Sequence, residues 1–289
     1  MRSDFAFAKQ KRQTGLVVGR TFLIIFLALF TFLAVFPLFW LISTSLRTGM
    51  DVYSPHLFPE KVMFDSYEYI LKHSPFIIWF KNSVVVSLIS TLASVIVASL
   101  AAYSMSRFVT PWKKFISKSI LMAYMFPGVL LLLPLFVLFV KIQLLDKQLG
   151  LIIAYSMSNL PFAMWLLIAY FDTIPKDLDE AAKIDGANNN FIFWRMIMPI
   201  AAPGLATSAI FVFINAWNEF VLALVLINSD VNKTLPVGLY ATMGGKAGEW
   251  VFWDDRMANS AMVILPMLIV FFALNKYITK GLTAGALKG

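Results

Sequence analysis

Long apolar runs separated by short polar segments dominate this chain. The first run, residues 21–42, contains no charged residue. At 1.5 Å per residue, a helix needs roughly 20 apolar residues to cross about 30 Å of hydrocarbon. Further runs approach or exceed that length at residues 83–103, 119–140, 150–171, 203–227 and 258–274. The pattern therefore predicts an all-α, polytopic membrane protein with six transmembrane helices.

Proline interrupts several of these runs, at Pro37, Pro127, Pro134, Pro161 and Pro266. A proline inside a span removes a backbone hydrogen bond, and it is tolerated only where neighbouring helices, side chains or water satisfy the freed carbonyl. The prolines therefore favour a packed bundle that encloses a polar path over separate helices surrounded by lipid.

The composition supports burial in lipid. Of 289 residues, 60% are hydrophobic and 14% are charged, whereas a soluble domain carries about a quarter charged residues. Cysteine is absent, which excludes disulfides and thiolate chemistry. Two histidines are too few for a histidine metal cluster, so no metal site is predicted. The net charge of +8 comes from bases that flank the apolar runs, so membrane lipid and not nucleic acid is the expected surrounding.

Lysine and arginine in the loops predict the orientation of the spans. The amino-terminal tail, the loop after the second run and the carboxyl tail are rich in bases, whereas the opposing loops mix acids with fewer bases. Because short cytoplasmic loops collect Lys and Arg, both termini are expected in the cytoplasm. The first run lacks a nearby small-residue cleavage site and is interpreted as an uncleaved anchor. Without linkers or repeats, residues 1–289 are predicted to form one transmembrane domain.

A polar island, residues 175–199, interrupts this apolar sequence between the fourth and fifth runs. Pro175 and the acids after it are typical of a helix start. Leu178, Ala181 and Ala182 are predicted to share one face, and Asp179 and Lys183 to pair on another. The island lies on the cytoplasmic side in the predicted orientation.

The island is predicted to contain two short helices. Gly186 is a plausible stop for the first helix because it can adopt the left-handed conformation. Residues 188–190 can cap a second helix over 191–198, which Pro199 would end. The pattern fits docking of a soluble partner, but two alternatives stay open: Glu180 could only complete a capping box with Asp177, or the island could only connect two spans.

The island resembles a known motif. The sequence Glu180-Ala181-Ala182, then three residues, Gly186, nine residues and Met196-Ile197-Met198-Pro199 is similar to the EAA loop of permease subunits in bacterial ATP-binding-cassette importers. That family has isoleucine and leucine at the positions of Met196 and Met198, and methionine preserves their apolar bulk. Residues 203–207 and Trp217-Asn218-Glu219-Phe220 resemble the carbohydrate branch, in particular the shorter permease of maltose-type systems. The chain as a whole, and not these residues, also resembles the polysaccharide-importing members such as the alginate system.

The resemblance implies a type I ABC-importer permease fold in a bacterial inner membrane. It implies ATP-driven import of oligo- or polysaccharides, with acidic ones such as alginate included. Residues 175–199 would be the cytoplasmic coupling loop. The residues expected to contact the ATPase are Glu180, Ala181, Ala182, Asp185, Gly186 and Pro199.

The resemblance also implies partners. They are a second homologous permease, two ATP-binding-cassette subunits and a periplasmic or extracellular sugar-binding protein. This chain is then not itself an enzyme, and ATP and Mg²⁺ would be bound by the partner ATPase. Consistent with that, Gly244-Gly245-Lys246-Ala247 has alanine where a phosphate-binding loop needs serine or threonine.

Polar residues in the fifth run are candidates for the substrate path. Asn215, Asn218 and Glu219 fall on one side of a helix, with Trp217 beside them. An ionised glutamate inside hydrocarbon costs roughly 2.5–3.5 kcal/mol unless it faces protein or water. The alternative is a polar clamp between helices.

The last external loop is a candidate contact for the binding protein. Tyr240 and Trp250 offer faces for sugar rings, and Gly244 and Gly245 allow the loop to reach into a cleft. The alternative is an interfacial aromatic belt with ordinary turns.

The apolar runs also bear on other functions. A secondary transporter driven by an ion gradient needs several ionisable or oxygen ligands near the midplane. The predicted spans contain only one acidic residue, Glu219. A hydrolase within the membrane needs a base pair or metal set, and the runs contain no histidine, aspartate or cysteine. An exporter is disfavoured because the EAA loop belongs to importers.

Overall fold

The computed structural model describes residues 2–108, 111–243 and 253–286. Every regular element in those ranges is helical, which confirms the all-α prediction. The α-helices are α1 (Arg2–Ser45), α2 (Asp65–His73), α3 (Phe76–Arg107), α4 (Lys113–Met125), α5 (Leu132–Lys141), α6 (Gln148–Phe171), α7 (Asp177–Ile184), α8 (Asn189–Phe191), α9 (Met198–Ile200), α10 (Ala202–Asn218), α11 (Val221–Leu226), α12 (Leu235–Met243) and α13 (Trp253–Ala286). Shorter turns are 3₁₀-helical at Gly49–Tyr53, Gly128–Leu131 and Asp230–Asn232, and π-helical at Ile192–Ile197.

Four helical stretches are long and apolar enough to cross a membrane. They are Gly19–Ser45, Phe76–Arg107, Gln148–Phe171 and Trp253–Ala273, and they contain the predicted first, second, fourth and nearly all of the sixth span. Two bent helix pairs raise the number to as many as six. Pro37, Pro161 and Pro266 lie inside helices, so these spans accommodate proline as expected.

The predicted third span is not one straight helix. α4 ends at Met125, and the helical segments on either side of Pro127 are bent by 87°. Proline has no N–H and forces the residue before it out of the helical region. Phe126 is accordingly extended, with φ −68° and ψ 130°.

The predicted fifth span is also interrupted. α10 ends at Asn218, Glu219 is extended, and the chain resumes as α11 at Val221. At its other end α10 meets the preceding helical run, Asn189–Ile200, at 76°. The prediction of a continuous helix over residues 203–227 was therefore wrong.

The chain forms two compact units. Among the described residues, one comprises 2–70 and 253–261, and the other 71–108, 111–243 and 262–286. That the chain acts as one permease domain stays a prediction.

Arg47 organises the first unit. Its side chain is fully buried, and Nη1 donates to the Ser54 carbonyl at 3.0 Å while Nη2 donates to the His56 carbonyl. The guanidinium also lies 5.4 Å from the centroid of the Trp40 ring. A buried cation is tolerable only when such partners compensate its lost hydration. Arg47 therefore fixes the segment that follows α1.

Helices α3 and α6 form the centre of the second unit and run parallel. Gln148 at the start of α6 bonds Asn82 near the start of α3, and Arg107 at the end of α3 bonds the Phe171 carbonyl at the end of α6. Midway, the Ser94 hydroxyl donates to the Ser156 carbonyl at 3.2 Å. Small buried serines let the helices approach closely, as in membrane helix pairs. Two apolar clusters lie along this pair, one at each end.

Candidate functional site

The polar island forms a short helix, as predicted. α7 covers Asp177–Ile184 and has three acids in its first turn, where they favour the positive end of the helix dipole. Its N-cap is Lys176, which makes no side-chain cap. The capping box of Asp177 with Glu180 is therefore not formed, and the Glu180 side chain is exposed.

Gly186 ends α7, as predicted, with φ +84°. The Gly186 N–H donates to the Lys183 carbonyl at 3.0 Å, and the Ala187 N–H donates to the Ala182 carbonyl at 2.9 Å. These two bonds are the Schellman motif, which satisfies carbonyls at a helix end. Nothing lies within 4 Å of a Cβ built on Gly186. The glycine is therefore required by backbone conformation and not by space inside this chain.

A second helical run follows, as predicted. The Asn188 side chain caps it by accepting the Phe191 N–H at 2.8 Å. The run then passes through the π-helical turn Ile192–Ile197, a form that is rare and frequent at functional sites. It continues one residue beyond Pro199, to Ile200, so the predicted end at Pro199 was slightly early. Pro199 is in the first turn of α9, where its missing N–H is no loss.

The two alanines of the predicted docking face differ in exposure. Asp179 and Ala182 are buried, whereas Ala181 is exposed and Leu178 is 38% exposed. Ala182 packs in the apolar cluster at the ends of α3 and α6. Leu178, Ala181 and Ala182 share one face of α7 by their spacing, as predicted, but among the three only Ala182 is buried.

The outward side of the island is partly apolar. Ile184 is 86% exposed and Phe191 and Trp194 are about half exposed, beside exposed Asp185 and Gly186. Large apolar side chains on a polar loop mark a surface for a protein partner. The exposed residues of the predicted docking set are Glu180, Ala181, Asp185, Gly186 and Pro199.

The predicted pair of Asp179 with Lys183 was wrong. Asp179 turns inward, where Oδ1 accepts the Tyr103 hydroxyl at 2.9 Å and Oδ2 lies 2.9 Å from Nε of Arg107. The Arg107 N–H does not aim at that oxygen, so the contact is an ion pair and not an aligned hydrogen bond. The side chains of Arg107 and Asp179 are 5% and 8% exposed. In the last turn of α3, Ser106 also donates to Asp172 at 2.6 Å.

Sequence reasoning missed this cluster. It counted Arg107 as one base of a cytoplasmic loop. A signal was present, because Tyr103, Ser106 and Arg107 are spaced three and four residues apart and so share a helix face.

Glu219 lies at the break between α10 and α11. Its Oε1 accepts the Leu222 N–H at 2.8 Å, and its backbone carbonyl accepts the Tyr155 hydroxyl at 3.2 Å. The carboxylate thus caps α11. Neither of the two roles predicted for Glu219, a place on the substrate path or a polar clamp between helices, includes this contact. Asn215 and Asn218 are exposed on α10, and their place on a substrate path stays a prediction.

Trp217 is packed and not available to a substrate in this conformation. Its side chain is 2% exposed, and its ring lies 5.9 Å from both Phe80 and Phe213. Its Nε1 donates to the Val263 carbonyl at 3.3 Å. The structure gives it the packing role typical of a large aromatic residue whose N–H finds a partner.

Asp146 holds the turn after α11 with its side chain and its backbone. Its Oδ1 accepts the N–H groups of Asn228 and Ser229 at 3.0 and 2.9 Å, and its own N–H donates to the Leu226 carbonyl at 2.8 Å. Partial burial acts to raise the pKa of the Asp146 carboxyl, but hydrogen bonds from Ser229, Asn228 and Asn232 outweigh it and hold the pKa below its ordinary value. Asp146 therefore fastens this turn to the segment between α5 and α6.

The segment leading to α12 is held from α3 as well. Trp79 donates to the Asp230 carbonyl at 2.8 Å, and Asn82 donates to the Val231 carbonyl at 2.8 Å. α12 then presents Tyr240, which is 57% exposed and lies edge-on to Phe220. The other predicted contacts for a binding protein, Gly244, Gly245 and Trp250, lie outside the described residues. Among the described residues, no group of three or more His, Asp or Glu is placed to hold a metal ion.

Apolar helices of membrane-spanning length, two of them joined by a polar loop of two short helices, define a multi-pass membrane protein. The model of one family, described as "Binding-protein-dependent transport system inner membrane component", matches residues 94–284. The chain belongs to this family, which favours a permease over an ion-gradient transporter.

Relatives match over nearly the whole chain. The trehalose transport system permease protein SugB of Mycobacterium tuberculosis is 38% identical over 89% of this chain and 93% of its own. The trehalose/maltose transport system permease protein MalG of Thermococcus litoralis is 36% identical over 94% and 98%. The inner membrane ABC transporter permease protein YcjP of Escherichia coli is 36% identical over 91% and 94%.

Solved structures share the fold. A chain of a bacterial ABC transporter involved in the import of the acidic polysaccharide alginate is 25% identical, with a TM-score of 0.76 over 88% of this chain and 94% of that one. A chain from the same kind of transporter, in complex with a periplasmic protein bound to an alginate pentasaccharide, has a TM-score of 0.64 at 16% identity, over 90% of this chain and 94% of that one.

Proposed function

We propose that this chain is one permease subunit of an ATP-driven importer of oligo- or polysaccharides. The observation that carries the proposal is the island, residues 175–199, whose inner side is packed on the bundle and whose outer side exposes apolar residues around Gly186. A loop held on one side and open on the other suits transfer of movement from a soluble motor. The relatives named for trehalose, maltose and alginate support a carbohydrate as cargo.

The proposal implies an assembly. A second, homologous permease completes the pore, and two ATP-binding-cassette subunits dock on the two islands and bind the ATP and Mg²⁺. A periplasmic or extracellular binding protein delivers the sugar, with Tyr240, Gly244, Gly245 and Trp250 as its contacts. Both termini and the island lie in the cytoplasm, as the positions of Lys and Arg favour.

Reconstitution of the complex in liposomes tests the function. We expect uptake of a labelled oligosaccharide that requires ATP hydrolysis and the binding protein and survives a proton uncoupler. Neutral glucose oligosaccharides and uronate oligosaccharides, supplied separately, distinguish the two classes of cargo. Uptake by the permease without any ATPase would disprove the proposal.

Variants of the island test the docking role. We expect Glu180→Ala and Gly186→Trp to insert normally but to lose uptake or release the ATPase. Glu60→Ala, an exposed glutamate outside the island, is the control and should behave as native. Normal uptake and a full complement of ATPase with both island variants would contradict the assignment.

A further inference from the structure

The last turn of α3 grips the start of the island with three side chains on one face. Tyr103 donates to Asp179, Ser106 donates to Asp172, and Arg107 lies against Asp179. Arg107 Nη1 also donates to the carbonyls of Phe171 and Ile174 at 3.2 and 3.1 Å. We name Tyr103, Ser106 and Arg107 the α3 grip. It contacts the chain before, within and after the link between α6 and α7.

That link is a weak transmitter by itself. Residues 172–176 are not helical and contain Pro175, so the covalent connection from α6 to α7 is a bend and not a rod. The α3 grip spans the bend directly. Deeper in, Ala182 of α7 packs in one cluster with Ala98 and Ala102 of α3. Displacement of α7 is therefore opposed first by α3, a helix to which α7 is not directly joined in sequence.

The energetics of the Arg107–Asp179 ion pair indicate a role other than stabilising the fold. A nearly buried ion pair loses much of its hydration, and apolar residues of similar size are often as stable. Arg107 also has a buried Nη2 without a hydrogen-bond partner in this chain. What the pair provides instead is a defined position, because any arrangement that buries one charge without the other leaves it uncompensated. The pair therefore favours one register of α7 against the end of α3.

We propose that Arg107 and Asp179, supported by Tyr103, are positioning residues that make α7 and the end of α3 move as one body. Movement of the island then enters the bundle through α3 as well as through the covalently connected α6 and α10. The inference rests on the proposed coupling function of the island. It assigns the transmission step to residues that are buried beneath the docking side.

The test is the number of sugars taken up per ATP hydrolysed by the complete reconstituted complex. Asp179→Asn removes the charge but keeps an oxygen that can accept the Tyr103 hydroxyl, and we expect the ratio to fall at least tenfold with the ATPase still bound. Asp65→Asn is the matched control, since Asp65 is also a first-turn aspartate of a short helix but is exposed. Its ratio should equal the native one.

Tyr103→Phe keeps the ion pair and replaces Asp179→Asn as the test if the Asp179→Asn permease does not fold and insert; we expect its ratio to fall about threefold. A native ratio, or uptake and hydrolysis lowered in equal proportion, would overturn the inference, because a merely structural role does not change the ratio. Loss of ATPase binding in Asp179→Asn would also overturn it. Failure of the proposed function is separately visible, as Glu180→Ala would then leave ATPase binding and uptake unchanged.

Discussion

Gly186 provides a test in which conformation and contact can be separated. It ends α7 with φ +84°, and a Cβ at this position meets nothing within 4 Å. Inside the chain, Gly186→Ala therefore clashes with no neighbouring residue, and its cost is the local strain of a Cβ at a positive φ. A residue with a Cβ pays about 1–2 kcal/mol in the left-handed region, which is a factor of roughly 5–30 in the population of the correctly ended helix.

Three substitutions at position 186 separate the cost of the backbone conformation from the loss of surface that contacts the ATPase. Asparagine tolerates the left-handed conformation better than other residues with a side chain, so Gly186→Asn should weaken ATPase binding little. Gly186→Ala should weaken it by up to roughly 5–30-fold. Gly186→Trp has the same backbone cost as alanine, and any further loss measures the surface that the ATPase covers.

The assay is a titration of the ATPase subunit onto the purified permease complex in lipid nanodiscs. Thermal unfolding of each variant, measured alone, verifies that the bundle is intact. Equal losses for alanine and asparagine would refute the conformational argument, since the two differ mainly in their tolerance of a positive φ. Native binding by Gly186→Ala would show that the Schellman ending is not needed for docking.

Other positions give independent predictions. A Cβ on Gly238 would clash with the ring of Trp79, so Gly238→Ala should cost about 1–3 kcal/mol in unfolding free energy. Gly128→Ala, where the Cβ meets nothing within 4 Å, should unfold like native protein. Hydrogen bonds hold the pKa of Asp146 low, so its stabilisation is complete above the unfolded pKa and is lost as pH falls through the folded one. The melting-temperature gap between native protein and Asp146→Asn should therefore close in acid; a constant gap would contradict this.

The sequence predicted the elements that depend on local chemistry. The start of α7, its end at Gly186 and the Asn188 cap follow from proline, acid, glycine and asparagine preferences within a few residues. The long straight spans follow from hydropathy alone. These features can be predicted without knowing the tertiary contacts.

Features that depend on packing escaped prediction. Asp179 had a plausible partner in Lys183 one turn away, and nothing local indicated that Arg107, far back in the chain, would take its place. Trp217 was predicted to lie on the substrate path because polar residues adjoin it in the sequence. In the structure it is buried by packing on Phe80 and Phe213. The roles predicted for Glu219 assumed that it lies deep inside one continuous helix. The helix is broken at this residue, so that assumption does not hold.

The interruption between α10 and α11 has a mechanical consequence. Hydrocarbon does not tolerate unpaired peptide groups, so a gap in a spanning helix must bring its own hydrogen-bond partners. Here Glu219 satisfies a freed amide and Tyr155 a freed carbonyl. The break between the two half-helices therefore brings partners for two of its freed backbone groups, which lets a bend persist at this depth of the bundle.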